Sequence, residues 1–126
     1  LVRAAMDQGV VIVAARGEGQ TMAFPASVPG VIAAGQTGTD RSIPAPAVDV
    51  LSTAPQNDYR YVSGSSVAAA HVAGVVSLLL AVRPNLRPDE VAHALRSAIS
   101  VSGEMPMLDA CEALRAVAEA SVTCVE

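Results

Sequence analysis

Aromatic and basic residues are scarce in this chain. Only 2% of its 126 residues are aromatic and none is Trp, although 52% are hydrophobic, so the core must be built from Ala, Val, Leu and Ile. The hydrophobic fraction excludes a disordered tail, and the length suits a single domain. Eight basic residues and a net charge of -4 argue against a nucleic-acid partner, because such a surface must neutralise a row of phosphates.

Cysteine and histidine are rare as well. The two cysteines, Cys111 and Cys124, could form a disulfide or remain free thiols, and they are too few for a disulfide framework. The sequence has no CxxC motif, and its histidines are His71 and His93 alone. We therefore expect no zinc site and no other cofactor held by this chain.

The N-terminal segment, LVRAAMDQGVVIVAARG, does not have the arrangement of a signal peptide, because its charge and its small residues fall in the wrong places. It begins inside a helical pattern and without Met. We therefore expect the chain to be a piece of a longer protein, and the sequence leaves its cellular compartment open.

Short apolar runs bounded by Gly and Pro predict strands. VVIVAA (10–15) and VIAAGQ (31–36) are predicted to be buried on both faces. A loop with two prolines then runs to Ala47, VDVLS (48–52) is predicted as a third strand, and YRYVS (59–63) as a fourth nearer an edge. Together with helices at 1–8, before Gly9, and further along the chain, this pattern indicates an α/β fold with a mostly parallel sheet.

The longest helix is predicted from Ser66 to about Val82, and its apolar residues have no preferred face. Such a helix is either buried on every side or crosses a membrane. The apolar stretch is short for a membrane span, contains His71 and has turn signals at both ends, which favours the buried helix and no membrane partner. A helix buried all round needs covering layers that this chain does not supply, so a half of the fold is expected to be missing.

Two shorter helices follow the long one. Pro88, Asp89 and Glu90 are predicted to open the first of them, with Pro at the first helical position and acidic residues in the first turn. Asp109 is predicted to cap the second, which extends to about Ala120.

The segment YVSGSSVAAAHVAGVVSLLL (61–80) has two serines, Ser65 and Ser66, where an extended stretch turns into the long helix. A serine there could be a nucleophile, because the unpaired N–H groups and the dipole of the first turn stabilise an oxyanion beside it. It could instead be a helix N-cap, which is the commoner role of serine at such a junction.

Neither histidine suits the role of general base for these serines. His71 lies five positions after Ser66, which on a helix directs the two side chains to different sides. We interpret His71 as a buried, hydrogen-bonded histidine that holds the helix in place, and His93 as a surface residue.

Several segments together resemble one family. SGSSVAAAHVAGVVSLLL (63–80) closely resembles the serine motif of the subtilisin-like serine proteases, or subtilases (peptidase S8), which commonly reads SGTSMAxPHVAG before a helix of small residues. VVIVAARGEG resembles the family's VVAAAGNEG segment, and PASVPGVIAAG its PA(S)xPxVIxVGA segment. VDVLSTAP resembles the strand that ends in (S/A)xAPG, RPNLRPDEVAHAL the PxLTxxEVxxxL helix, and MLDACEAL the closing block. These segments follow the family order across nearly the whole chain.

The resemblance implies a fold and a set of site residues. The whole chain, 1–126, would form the C-terminal half of one subtilisin-like domain with three α/β/α layers and a mostly parallel sheet. Ser66 occupies the position of the nucleophile, and Ala14, Ala15 and Gly17 would line the specificity pocket. The catalytic Asp and His would lie outside this chain, and a calcium ion is suggested by the family alone.

Several positions depart from the family pattern. Gly17 stands where the family has the Asn that donates to the oxyanion, and Arg16 replaces the preceding Gly. In subtilisin, loss of that donor costs on the order of 10²–10³ in rate. There are three other replacements. Ser65 stands for Thr, Ala70 stands for the Pro that precedes the structural histidine (here His71), and Gln56 stands for the Gly after Ala-Pro.

The sequence therefore predicts the serine-bearing portion of a subtilisin-like endopeptidase, which hydrolyses peptide or protein substrates through an acyl-enzyme on Ser66. An upstream segment or another chain would complete the fold and supply Asp and His, so this chain alone should be inactive. The alternative is a degenerate subtilase, a pseudoprotease that binds peptides or stabilises a partner without turnover. Gly17 favours the alternative, whereas Ser66 and its helix motif favour the protease.

Overall fold

The computed structural model of the protein describes residues 1–19, 21–38, 41–101, 105–119 and 122–124. Its centre is a sheet of three parallel strands in the order β1 (Val13–Ala15), β2 (Ile32–Gly35) and β3 (Ile43–Pro44). All four residues of β2 are buried, as expected of a central strand that is covered on both faces. The predicted α/β fold with a parallel sheet is confirmed.

The larger apolar cluster lies on one face of this sheet. Ile32 and Ala34 of β2 point into it, and helix α2 (Ser65–Val82) packs against them through buried residues that include Val72 and Leu79. All of these side chains are aliphatic, because the composition leaves no aromatic residue for the core.

A smaller cluster lies on the opposite face. Ala33 points into it, because successive residues of a strand alternate between the two faces of a sheet. Helix α1 (Val2–Asp7) packs against this cluster with Met6. It ends where the sequence predicts, with the N–H of Gly9 donating to the carbonyl of Met6 at 2.9 Å. The sheet therefore has a helix on each face.

The strand predicted at 48–52 is present in part, but it is not the third strand of the parallel sheet. The third parallel strand is β3, which lies in the segment predicted as a loop because of Pro44 and Pro46. Proline is tolerated there because β3 is at the edge of the sheet in the described part of the chain, where a strand has a free side. The predicted residues belong instead largely to β4 (Val50–Ala54), which pairs antiparallel with β5 (Asp58–Val62).

The hairpin of β4 and β5 extends outward from the sheet. The three residues between the strands are Pro55, Gln56 and Asn57, and the last two have positive φ. Leu51 lies opposite Tyr61 on one face of the hairpin. Leu51, Tyr59 and Tyr61 are 59%, 66% and 69% exposed. The fourth predicted strand is present as β5, but it belongs to this separate two-stranded sheet and not to the parallel sheet.

The C-terminal part of the chain contains helix α3 (Pro88–Ser97), a hairpin of β6 (Ile99–Val101) and β7 (Pro106–Leu108), and helix α4 (Ala110–Val117). Helix α3 begins with Pro88, as predicted. The β6–β7 hairpin was not predicted, because its strands are only three residues long.

Helix α4 is fixed at its start by a cap and a disulfide. The carboxylate of Asp109 accepts from the N–H groups of Cys111 and Glu112 at 2.8 and 3.0 Å, which confirms the predicted cap. Cys111 is joined to Cys124 by a disulfide whose Cα atoms are 6.0 Å apart, so the two cysteines are paired rather than free. The predicted end of this helix, near Ala120, lies outside the described residues.

Helix α2 is less buried than its composition predicts. Its buried residues are Ala68, Val72, Val76 and Leu79, all on the side that faces the sheet. The helix is long and apolar enough to cross a membrane, but core helices of globular proteins meet the same criteria of length and composition. No described element covers the second side, as expected from the shortage of covering layers in this sequence.

The uncovered side of α2 forms a shallow apolar groove of about 410 Å³. The residues that line it are mostly small or aliphatic: Ala70, His71, Gly74, Val75 and Leu78. Leu78 is 48% exposed there, whereas its neighbour Leu79 is fully buried against the sheet. We call this surface the open face of α2.

The open face can be tested with a matched pair of leucine variants of the isolated chain. Leu78→Ser removes apolar surface that nothing covers, so it should raise the fraction of soluble monomer without a loss of helix. Leu79→Ser leaves a cavity and a buried hydroxyl in the core, and it should cost roughly 2–5 kcal/mol of unfolding free energy. Size-exclusion chromatography and denaturant titration measure both effects. Strong amide protection on the open face of a monomeric wild type, or equal damage from both variants, would contradict the structure.

Candidate active site

A cleft of about 450 Å³ lies at the carboxyl ends of the three parallel strands. This edge of an open α/β sheet is where such folds generally bind ligands. The loops that follow β1, β2 and β3 form three of its walls, and the start of α2 forms the fourth. Its lining consists of small and polar residues: Arg16, Gly17, Glu18, Gly19, Gln36, Thr37, Ala47, Val48, Ser63, Gly64 and Ser65.

Gly64 makes the junction between the hairpin and α2. Its φ of 138° and ψ of 161° belong to a region that is open essentially to glycine alone. Its N–H donates to the carbonyl of Ala47 at 2.7 Å, so the junction is tied to the loop that follows β3. Gly64 is also the N-cap of α2, and Ser65 is the first helical residue. Neither serine is therefore the N-cap, which removes that alternative.

The two serines differ in their placement. Ser65 is half-buried and lines the cleft, while Ser66 is exposed at its margin. The Oγ of Ser66 lies over Gly64, 3.5 Å from where a Cβ on that glycine would be. Within the described part of the chain, neither hydroxyl has a hydrogen-bond partner. Ser66 thus presents a free hydroxyl in the first turn of a helix, whose unpaired N–H groups and dipole favour nearby negative charge.

Arg16 spans the wall of the cleft that follows β1. Its backbone N–H donates to the carbonyl of Ala34 at 2.9 Å, which continues the pairing of β1 with β2. Its side chain passes closely over Gly35, where a Cβ would lie 2.7 Å from Cδ of Arg16. Nη1 then donates to the carbonyls of Gly17 and Gly19 at 3.4 and 3.1 Å. The guanidinium therefore contacts the loop Gly17–Gly19, which comes directly after Arg16.

Gly17 occupies a position that suits no other residue well. Its φ is 82°, and a Cβ at this position would lie 2.9 Å from Cβ of Ala23. The N–H of Ala23 donates to the carbonyl of Arg16 at 3.0 Å, so Ala23 cannot easily move away. A side-chain donor at position 17 would require a local rearrangement.

The structure separates several residues that the sequence groups together. Arg16, Gly17 and Ser65 line the cleft, whereas Ser66 is not among its lining residues and is placed near it by its contact with Gly64. Ala14 is buried in the smaller apolar cluster, and neither it nor Ala15 is among the described residues that line the cleft. The assignment of those two alanines to a specificity pocket stays a prediction.

The two histidines lie away from the cleft. His71 is exposed on the open face of α2, so the prediction that it is buried is wrong. Its Nδ1 is 3.0 Å from the carbonyl of Val67, one turn earlier in the same helix, which confirms that it is hydrogen-bonded. His93 is exposed on α3, as predicted.

A contact between Asp49 and Ser63 was missed by the sequence analysis. The N–H of Asp49 donates to Oγ of Ser63 at 2.9 Å, and this bond closes the base of the hairpin beside the cleft. Asp49 has a φ of 50°, which Asp tolerates better than most residues. The sequence VDV gives no signal for it, because the strand pattern predicts regular alternation there.

The segment that resembles a strand ending in Ala-Pro is also reassigned. The parallel strand that leads directly into an Ala-Pro dipeptide is β3, and the dipeptide is Ala45-Pro46. The carbonyl of Ala47, which follows this dipeptide, is the one that holds Gly64. The second Ala-Pro dipeptide, with Gln56 after it, belongs to the turn of the exposed hairpin.

Comparison with known proteins gives consistent matches over nearly the whole chain. The model of the subtilase family matches residues 1–112. Subtilisin DY of Bacillus licheniformis is 33% identical over 118 residues, which cover 79% of this chain and 43% of that protein. The self-cleaved protease domain of PatA superposes with a TM-score of 0.74 at 26% identity, covering 92% of this chain and 53% of that one.

A further solved structure shows the same fold. The prenylagaramide maturation protease PagA superposes with a TM-score of 0.78 at 23% identity, over 95% of this chain and 55% of that one. The chain therefore spans about half the length of each of these three proteins.

The restricted space at Gly17 predicts the outcome of restoring a side-chain donor there. Gly17→Asn should lower the unfolding free energy by on the order of 1–3 kcal/mol, because it combines an unfavourable φ with a contact at Ala23. Gly19→Asn is the matched control, since its φ is 103° but no atom lies within 4 Å of its Cβ position. Adding Ala23→Gly should recover part of the loss in Gly17→Asn alone. Denaturant titration measures these differences, and a Gly17→Asn variant as stable as wild type would contradict this geometry.

Proposed function

Because this chain belongs to the subtilase family, we propose that it is the serine-bearing portion of a subtilisin-like serine endopeptidase and that Ser66 forms the acyl-enzyme. The observation that carries the proposal is the position of Ser66. Its unpartnered hydroxyl stands in the first turn of α2, directly after a glycine junction and beside a cleft at the carboxyl ends of the strands.

The proposed reaction uses this geometry in two steps. Oγ of Ser66 attacks the carbonyl carbon of a peptide bond while a general base takes the hydroxyl proton, and the carbonyl oxygen becomes an oxyanion. The N–H of Ser66, unpaired in the first turn, faces that negative charge as a donor. Collapse breaks the C–N bond, the base returns its proton to the leaving amine, and water then hydrolyses the ester on Ser66.

The general base and its orienting carboxylate are proposed to come from outside these residues. No histidine precedes Ser66 in this sequence, and His71 is directed along the open face of α2 with its Nδ1 at the carbonyl of Val67. His93 lies on a separate helix, α3, away from the cleft lining. Neither can reach Oγ of Ser66 to accept its proton.

The open face of α2 supports a proposal for the partner that completes the site. Ala70, Gly74 and the rest of the groove are small enough for another backbone to approach closely, and Leu78 offers apolar area to bury. We propose that an upstream segment or another chain that completes the fold covers this face and brings the His and Asp. Peptides or proteins are the proposed substrates.

A second candidate function has one observation in its favour. Gly17 has no side chain to donate to an oxyanion, and the space around it does not admit one easily. This feature would suit a degenerate subtilase that binds peptides or stabilises a partner without turnover. The test below distinguishes it from the protease.

The proposal predicts that a fluorophosphonate probe labels Ser66 in the complete protein, because the probe reacts only with a serine that has an active base. Labelling should vanish in Ser66→Ala and persist in Ser65→Ala, which is the matched control at the adjacent position. Mass spectrometry of tryptic peptides locates the modified residue. A folded complete protein that neither reacts with the probe nor hydrolyses peptides would reject the protease and leave the pseudoprotease.

A further inference from the structure

The loop after β1 carries three successive backbone N–H groups with no partner. They belong to Gly17, Glu18 and Gly19, and none of them donates a hydrogen bond within the part of the chain that the structure describes. All three residues line the cleft opposite Gly64 and Ser65. Successive unpaired N–H groups in a glycine-rich turn are suited to binding an anion.

Arg16 fixes the direction of one of these groups, the N–H of Glu18. One of its nitrogens, Nη1, donates to the carbonyls of both Gly17 and Gly19. In a trans peptide the carbonyl and the following N–H point in opposite directions. The N–H of Glu18, which shares a peptide plane with the carbonyl of Gly17, must therefore point away from the guanidinium. Without Arg16, two glycines with positive φ would leave this loop little to hold it in one conformation.

We propose that Arg16 is a positioning residue for the oxyanion site. It orients the loop Gly17–Gly19 so that the N–H of Glu18, together with the N–H of Ser66, replaces the side-chain donor that Gly17 lacks. This inference rests on the proposed protease function and changes one part of it. On this side of the cleft the donor to the oxyanion is a backbone N–H group that the Arg16 guanidinium holds in place, instead of a side-chain amide.

The test uses the complete protein with three substitutions. Arg16→Met keeps the aliphatic stem that passes over Gly35 but removes every donor. Arg16→Lys restores a cation and part of the donor capacity. Arg60→Met is the matched control, because Arg60 is an exposed arginine on β5 that does not line the cleft.

Three measurements separate positioning from a merely structural role. Arg16→Met should lower kcat by up to roughly 10²-fold with little change in KM, since an oxyanion donor acts on the transition state. Its affinity for a peptide boronic acid, which reacts with the serine to form a tetrahedral anion, should fall by a similar factor, while its affinity for the unreactive peptide of the same sequence stays constant. Arg16→Lys should recover part of both losses, and Arg60→Met should match wild type.

The contact between Arg16 and the loop Gly17–Gly19 is tested by a measurement that does not require turnover. The ¹⁵N order parameter of the Glu18 amide should fall in Arg16→Met and remain unchanged in Arg60→Met. An unchanged order parameter, unchanged kcat and boronate affinity, or an equal loss of boronate and peptide binding would each overturn the proposal. If wild type shows no turnover and no probe labelling, the protease function fails, and the order parameter still decides whether Arg16 holds the loop.

Discussion

The candidate site depends on the backbone at Gly64. The N–H of this residue is bonded to the carbonyl of Ala47, and its φ and ψ are closed to residues with a side chain. This one junction joins the loop after the third parallel strand, the base of the hairpin and the start of α2. The positions of Ser65 and Ser66 relative to the sheet follow from it, because a helix that starts elsewhere would direct its first turn away from the cleft.

The elements that could be predicted are those whose signals are local. Asp109 caps α4, Pro88 begins α3, and the apolar run of β2 lies buried at the centre of the sheet, since each depends on a few consecutive residues. β3 could not be predicted in the same way, because Pro44 and Pro46 signal a loop and their compatibility with a strand depends on its place at the edge. The β4–β5 pairing likewise depends on a turn whose residues, Gln56 and Asn57, are not the usual Asn-Gly pair.

The site was predictable where the family pattern carries it and not where it depends on contacts across the fold. The position of Ser66 before a small-residue helix followed from the motif. The two carbonyls that Arg16 contacts, the closeness of Ala23 to Gly17 and the bond between Asp49 and Ser63 involve backbone conformations that no pattern in one sequence specifies. The lack of cover on α2 could be expected from its apolar pattern, but which side stays open depends on contacts across the fold.

The scarcity of aromatic residues has a consequence for optical spectroscopy. Tyr59 and Tyr61 stand on the exposed hairpin and Phe24 is 74% exposed, so no aromatic ring lies in either apolar cluster. Near-ultraviolet circular dichroism and intrinsic fluorescence report on the packing around aromatic rings. In this chain the aromatic part of both signals would describe mainly the exposed hairpin, the Cys111–Cys124 disulfide would add its own near-ultraviolet band, and a fully packed aliphatic core would be almost silent in both. A weak near-ultraviolet spectrum would therefore not by itself indicate a molten globule, and methyl NMR is the method that observes this core directly.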